Sequence, residues 1–244
     1  MSQNQTIRTR AEMTPKYFDT ISRMIRSQAY RELAAATTFA GALRFVPTLA
    51  FKRKVVQHVQ EEMEHYAICV DLYREIGAGD LDEICTKHLQ EERPIPDIES
   101  FLELGVAQFL YDRASAFQLR EYENSTFDPY CRVVGRILEE EEGHESFGEE
   151  ILIRHCRATA DREQAQRLFD KWFVVSMRSF GRPGTPGSRY AISVGLKTRD
   201  SGAVAQDYVD TLKSTMRVCG LVLPSRGQLK EAGIDTAPGI DLTL

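Results

Sequence analysis

The chain has 244 residues, 42% of them hydrophobic and 27% charged, enough apolar content for one large folded domain and too much for a disordered chain. A net charge of -5 argues against a nucleic-acid binder, and no apolar run reaches membrane-spanning length, so neither a nucleic-acid nor a membrane partner is expected. The five cysteines are scattered without CxxC spacing, which excludes a disulfide framework and a zinc knuckle, and the polar stretch from Met1 to Arg10 has no signal-peptide core, so a cytoplasmic location is expected.

Helical periodicity predicts a first helix over 15–44 and a second over 48–76, with Pro47 suited to the first turn of the latter and Gly77 and Gly79 closing it. A short helix over 80–91 and a break at Pro94 and Pro96 then carry the chain to a third long helix over 97–122. Asn124 to Pro129 reads as a turn, and a fourth helix runs to about 155. A fifth over 160–179 carries the sole tryptophan, Trp172, and ends in a loop rich in Gly and Pro from Gly181. Two shorter helices follow, over 187–196 and 202–218, and the tail beyond Pro224 reads as irregular. The expectation is an all-α fold: a four-helix bundle of two hairpins joined by one long crossover, with additional C-terminal helices. It forms a single domain, 1–244, with its core over 15–156, accessory helices over 160–219 and the tail over 224–244.

Each long helix carries an acid where its apolar stripe should hold a Leu. The first stripe reads Ile25, Ala29, Glu32, Ala36, Phe39, and the second Val55, Val59, Glu62, Tyr66, Cys69. The third reads Gly105, Phe109, Asp112, Ala116, Leu119, and the fourth Val134, Leu138, Glu141, Gly148, Leu152. A carboxylate facing a core costs several kcal/mol unless it is paired or bound to metal. Three residues after Glu62 stands His65, and three after Glu141 stands His144, so each Glu–His pair projects from one helix face and can grip one ion. The lone acids precede their partners by similar intervals, 30 residues from Glu32 to Glu62 and 29 from Asp112 to Glu141. Folding each hairpin at Val46 or Thr126 brings lone acid and pair to one level, roughly 20 Å from the turn at about 1.5 Å per residue. Glu121 and Glu123 sit too near the second turn to reach that level. Glu32, Glu62, His65, Asp112, Glu141 and His144 together are the donor set of ferritin-like di-iron and di-manganese proteins. Against this stands the charge run Glu139 to Glu142, which on its own would read as a solvated face.

The chain resembles the catalytic-subunit family of ring-1,2-phenylacetyl-CoA epoxidases, di-iron members of the ferritin-like superfamily. The resemblance lies in Pro47 to Lys54 leading into Gln60 to His65, in Asp128 to Arg132 leading into Glu140 to His144 with Phe147 and Gly148, and in Lys171 to Phe173 with Ser179 to Pro183. Asp207 to Asp210 and Cys219 to Pro224 extend it to the C-terminal part. It implies that the six residues above hold two iron ions, with dioxygen as co-substrate and a separate reductase supplying electrons. It also implies insertion of one oxygen atom into an aromatic acyl-CoA, and assembly with a second ferritin-like subunit or a further copy of the chain.

Several points stay open on sequence. Manganese suits the same donors as iron, and a ferroxidase or a di-manganese or mixed-metal oxidase would use the same ligand set. The basic run Lys52, Arg53, Lys54 opposes the dipole in the first turn of the second helix, and a CoA phosphate would relieve that. Small residues near the acids (Ala29, Ala34 to Ala36, Gly105, Ala116, Gly143) either leave room for dioxygen and substrate or let helices approach closely.

Overall fold

The computed structural model describes residues 5–91, 95–159, 162–234 and 240–243. The fold is all-α and of the ferritin-like class; among the described residues the sole β-type pairing is an isolated bridge between Ile7 and Phe127. No described helix is long and apolar enough to cross a membrane. The chain groups into two compact units. Unit 1 comprises Met1–Ser100, Tyr122–Ile137 and Tyr190–Thr198, and unit 2 comprises Phe101–Glu121, Leu138–Arg189 and Arg199–Leu244.

Unit 1 is built on helix α1 (Pro15–Ala42) and helix α2 (Leu49–Glu75), which pack against each other as a hairpin. Both start on threonine caps: Thr14 Oγ1 accepts from Tyr17 N and Thr48 Oγ1 from Phe51 N, each at 3.2 Å, satisfying amides that helix ends leave without partners. A 3-10 turn, Leu43–Phe45, ends α1. Gly77 and Gly79 take positive φ after α2, a conformation costly for other residues, and turn the chain into α3 (Leu81–Glu91), which packs on α1 and α2. Thr126 ties distant segments together. Its carbonyl accepts from Ile7 N at 2.7 Å, its amide donates to Gly195 O at 2.7 Å, and its hydroxyl donates to Val194 O at 2.8 Å and lies 3.0 Å from Tyr17 Oη. Pro94, one of the two prolines read as a break, lies outside the described residues.

Unit 2 opens with α4 (Phe101–Ala107), a π-helical segment over Gln108–Asp112, and α5 (Arg113–Leu119). The sequence reading of one uninterrupted helix over 97–122 is corrected here: it starts at Phe101, carries a π turn, and ends in a 3-10 turn at Arg120–Tyr122. Helix α6 (Asp128–Ala158) begins in unit 1 and continues in unit 2. Helices α7 (Glu163–Ser179), α8 (Pro186–Ser193) and α9 (Ser201–Cys219) follow, with Gly220 in the left-handed region closing α9. The tail read as irregular contains a helix, α10 (Arg226–Glu231), started by a Ser225–Gln228 capping box that the three-residue spacing signals; residues 235–239 and 244 lie outside the described set. Phe169, Trp172 and Phe173 of α7 and Tyr208 and Leu212 of α9 are fully buried in unit 2. Trp172 Nε1 donates to Glu103 at 3.1 Å, and Lys171 Nζ reaches the same oxygen at 2.5 Å, so this buried acid is neutralised where it stands.

All five cysteines are free thiols; Cys69, Cys85, Cys156 and Cys219 are buried and pack as small hydrophobes.

Candidate metal centre

In unit 1, Glu32 of α1 and Glu62 and His65 of α2 are 2%, 1% and 0% exposed, values that put all three carboxylate and imidazole groups out of reach of bulk water. One donor atom from each lies within 4.8 Å of the others, and His65 Nδ1 stands 3.7 Å from Glu32 Oε2. Gln28, one turn before Glu32 and buried, donates to its carboxylate, and Arg31 donates to Gln28 in turn. Burial pushes the Glu32 carboxyl up, but the hydrogen bonding and charge of His65, then the hydrogen bonds of Glu62 and Gln28, outweigh it and hold the group below the ordinary carboxylate value. Glu62 goes the other way: burial first, then the charge of Glu32, push it well above that value. Two acids forced together in a dry site favour a cation between them.

Unit 2 repeats the arrangement with different support. Asp112, Glu141 and His144 are each 1% exposed, one donor atom of each lies within 4.8 Å of the others, and His144 Nδ1 stands 3.8 Å from Asp112 Oδ2. Ser115, a turn after Asp112, donates to Glu141 Oε1 at 3.1 Å. Asp112 is the last residue of the π segment. A π turn inserts one residue without completing an extra turn, so it shifts the face on which every following residue emerges. The Leu110 carbonyl inside the segment accepts from Tyr208 Oη at 3.1 Å, a bond from α9 that supports the irregular turn. Arg113, next to Asp112, places its guanidinium 3.2 Å from both Glu145 and Glu149 and over the Phe109 ring at 4.5 Å. Burial raises the Glu145 carboxyl and Arg113 partly offsets that.

The residues present fit a transition-metal ion in each triad. Two donors bound to one ion at about 2.1 Å stand roughly 3–4 Å apart. The separations of 3.7 and 3.8 Å between imidazole nitrogen and carboxylate oxygen fall in that window. Two hard carboxylates and one borderline imidazole per triad suit Fe(II) or Mn(II) better than Cu(I) or a thiolate metal. Each buried group of acids and histidine can thus hold a metal ion.

The family model described as "Phenylacetic acid catabolic protein" matches residues 1–236. The chain belongs to that family. A curated relative from Escherichia coli (strain K12), one of the subunits of 1,2-phenylacetyl-CoA epoxidase, is 21% identical over 232 residues, covering 92% of this chain and 75% of the relative.

Other residues singled out on sequence fall elsewhere. Lys52, Arg53 and Lys54 occupy the first turns of α2, ten, nine and eight residues before Glu62, and no ion pair joins any of them to an acid among the described residues. Of the small residues, Gly105 marks a close helix approach, to Gly148: a Cβ on Gly148 would stand 2.4 Å from Gly105 O and Phe109 N, and one on Gly105 2.6 Å from Ile151. Gly143 has nothing within 4 Å of the same position. Gln28 and Ser115 were missed on sequence. A polar residue one turn from a buried acid, on the same face, is the signal that finds both.

Proposed function

We propose that this protein is a di-iron, dioxygen-dependent monooxygenase that epoxidises or hydroxylates an aromatic acyl-CoA or a related small organic substrate. The observation that carries the reading is the repeated buried triad, Glu32, Glu62 and His65 in one unit and Asp112, Glu141 and His144 in the other, within a phenylacetic acid catabolic family. Two ions per chain, three protein donors for each, would supply oxygen activation; the overall balance is substrate plus dioxygen plus two electrons and two protons giving oxygenated product and water. The four carboxylates would offset the charge of two divalent cations, and the two imidazoles would complete the donor sets. Gln28 and Ser115 would hold Glu32 and Glu141 in their orientations. Burial of all six side chains would keep bulk water from quenching the reaction. Electrons would come from a separate reductase, and because the Escherichia coli relative is one component of a multi-chain enzyme, an assembly partner is proposed for this chain as well.

The test is metal content per chain together with dioxygen uptake by the reduced protein, with and without phenylacetyl-CoA. Two irons and thioester-dependent uptake are expected. Two irons with uptake indifferent to the thioester would move the reading to another substrate or to a ferroxidase; two manganese ions active in place of iron would move it to a di-manganese oxidase.

A further inference from the structure

The outer face of α1 gathers cations that no acid neutralises. Tyr17, Ile21, Ile25, Gln28 and Glu32 are buried on the inner side of this helix. Lys16, Asp19, Arg23 and Arg26 follow one another at steps of three, four and three residues, so they share a face turned away from Glu32. All four line a cavity of about 460 Å³ in unit 1, together with Ser22 and the rings of Phe18 and Tyr73. Arg26 is half-buried and makes no hydrogen bond or ion pair among the described residues. Arg23 engages only through Nε, which donates to the Asp19 main-chain carbonyl at 3.2 Å. Lys16 is held over the Tyr190 ring at 4.1 Å, with no acid beside it. Asp19 is the one acid on the cavity wall, and its carboxylate forms no ion pair among the described residues. Three cations against one carboxylate leave the wall at a formal charge of +2. Ser22 adds a buried hydroxyl with no hydrogen-bond partner. Like charges within a turn of each other and an unpartnered buried hydroxyl both cost stability, and an anion in the cavity relieves both.

We propose that this cavity binds the phosphate group of a small phosphorylated ligand. Dianionic phosphate matches the charge of the wall, whereas a single carboxylate answers half of it. Guanidinium groups fork onto phosphate oxygens, and Ser22, one turn before Arg26, reaches the same group by a change of rotamer. The volume lies in the range of small-molecule sites, so an organic body fits beside the phosphate, against Phe18 and Tyr73. A nucleic-acid backbone is a poor match, because the basic surface is confined to one cavity on a chain of net charge -5. Arg26 stands six residues before Glu32 and Lys16 sixteen, roughly 9 and 24 Å along the helix at 1.5 Å per residue, and on a different face. The site is therefore distinct from the metal triad of unit 1 and does not depend on the metal reading. Two sources share its chemistry: the phosphates of a CoA thioester and a free nucleotide.

Isothermal titration calorimetry of the full chain with inorganic phosphate is expected to show one site per chain. Arg26→Gln should weaken it about tenfold or more, while the double variant Lys52→Gln, Arg53→Gln, which removes charge elsewhere on unit 1, should bind as the wild type does. Ser22→Ala should also lower the affinity and leave the Tm of the free protein unchanged or higher, because an unpartnered hydroxyl contributes nothing to the fold. Competition then identifies the source. Displacement of phosphate by CoA alone assigns the group to a thioester, displacement by adenosine monophosphate alone assigns it to a free nucleotide, and displacement by both makes phosphate itself the recognised group; each keeps the site. Displacement by neither would leave an adventitious ion only and overturn the proposal. Unsaturable phosphate binding, or equal losses in Arg26→Gln and the double variant, would reduce the cluster to diffuse surface charge and likewise overturn it.

Discussion

The two triads carry the same donors in the same order, yet their lone acids are held differently. Glu32 lies within an unbroken stretch of α1 and is gripped from one turn away by Gln28. Asp112, one methylene shorter, closes a π turn that Tyr208 supports from α9, and the hydrogen bond in its triad goes to Glu141 from Ser115. A long acid on a regular helix is steadied by side chains of its own hairpin. A short acid is placed by its backbone, and the irregular backbone then draws on other elements. The triad of unit 2 accordingly draws its support from α9 of its own unit as well as from the helices that carry it.

Removing a donor from either triad tests whether they are equivalent. Glu62→Ala and Glu141→Ala are each expected to lower bound iron below two per chain and to cut oxygen uptake by ~100-fold or more, while helical circular dichroism is retained. Two irons per chain in both variants would dismiss the metal assignment. Next in size is the helix crossing peculiar to unit 2. Gly148→Ala drives a Cβ onto the Gly105 carbonyl and the Phe109 amide, both backbone, at an expected cost of about 3 kcal/mol and a fall in Tm of roughly 6–12 °C. Gly143→Ala, where the space is open, should leave Tm unchanged or raise it by the equivalent of up to about 1 kcal/mol. Equal losses in the two variants would contradict the geometry.

The polar supports should separate the triads by a smaller amount. Ser115→Ala and Gln28→Met are each expected to weaken metal retention about tenfold, measured by competition with a chelator, through one triad only. Tyr208→Phe removes a single hydrogen bond to the π turn, and about 1 kcal/mol of stability with it. Because that bond supports Asp112 and not Glu32, any accompanying loss of metal should amount to one ion per chain, and a loss of both would erase the distinction between the units.

Much of this was legible because burial leaves a periodic trace. An acid standing in an apolar stripe at helical spacing marked Glu32, Glu62, Asp112 and Glu141, the three-residue step marked His65 and His144, and the Gly and Pro positions marked most helix ends. The π turn left no such trace, since Gln108 to Asp112 reads equally well as ordinary α-helix; the hydrogen bond that supports it comes from Tyr208, almost a hundred residues along the chain. Gly105 and Gly143 were likewise ambiguous. A mid-helix glycine announces only that something is unusual, and the neighbouring backbone decides whether it is a contact, as at Gly148, or an opening, as at Gly143. The capping box of α10 was visible at Ser225 and Gln228, but six helical residues are too few to show a periodic face.

The bonds gathered at Thr126 join residues 7, 17, 126, 194 and 195. Unit 1 therefore cannot close during synthesis until about residue 198 has left the ribosome, long after α1 and α2 have emerged. At roughly 5–20 residues per second, the 123 residues from Glu75 to Thr198 impose a wait of about 6–25 s. Over that interval the hairpin bearing Glu32, Glu62 and His65 is made but not yet locked, and chains stalled before Val194 should be cut readily by protease within α1.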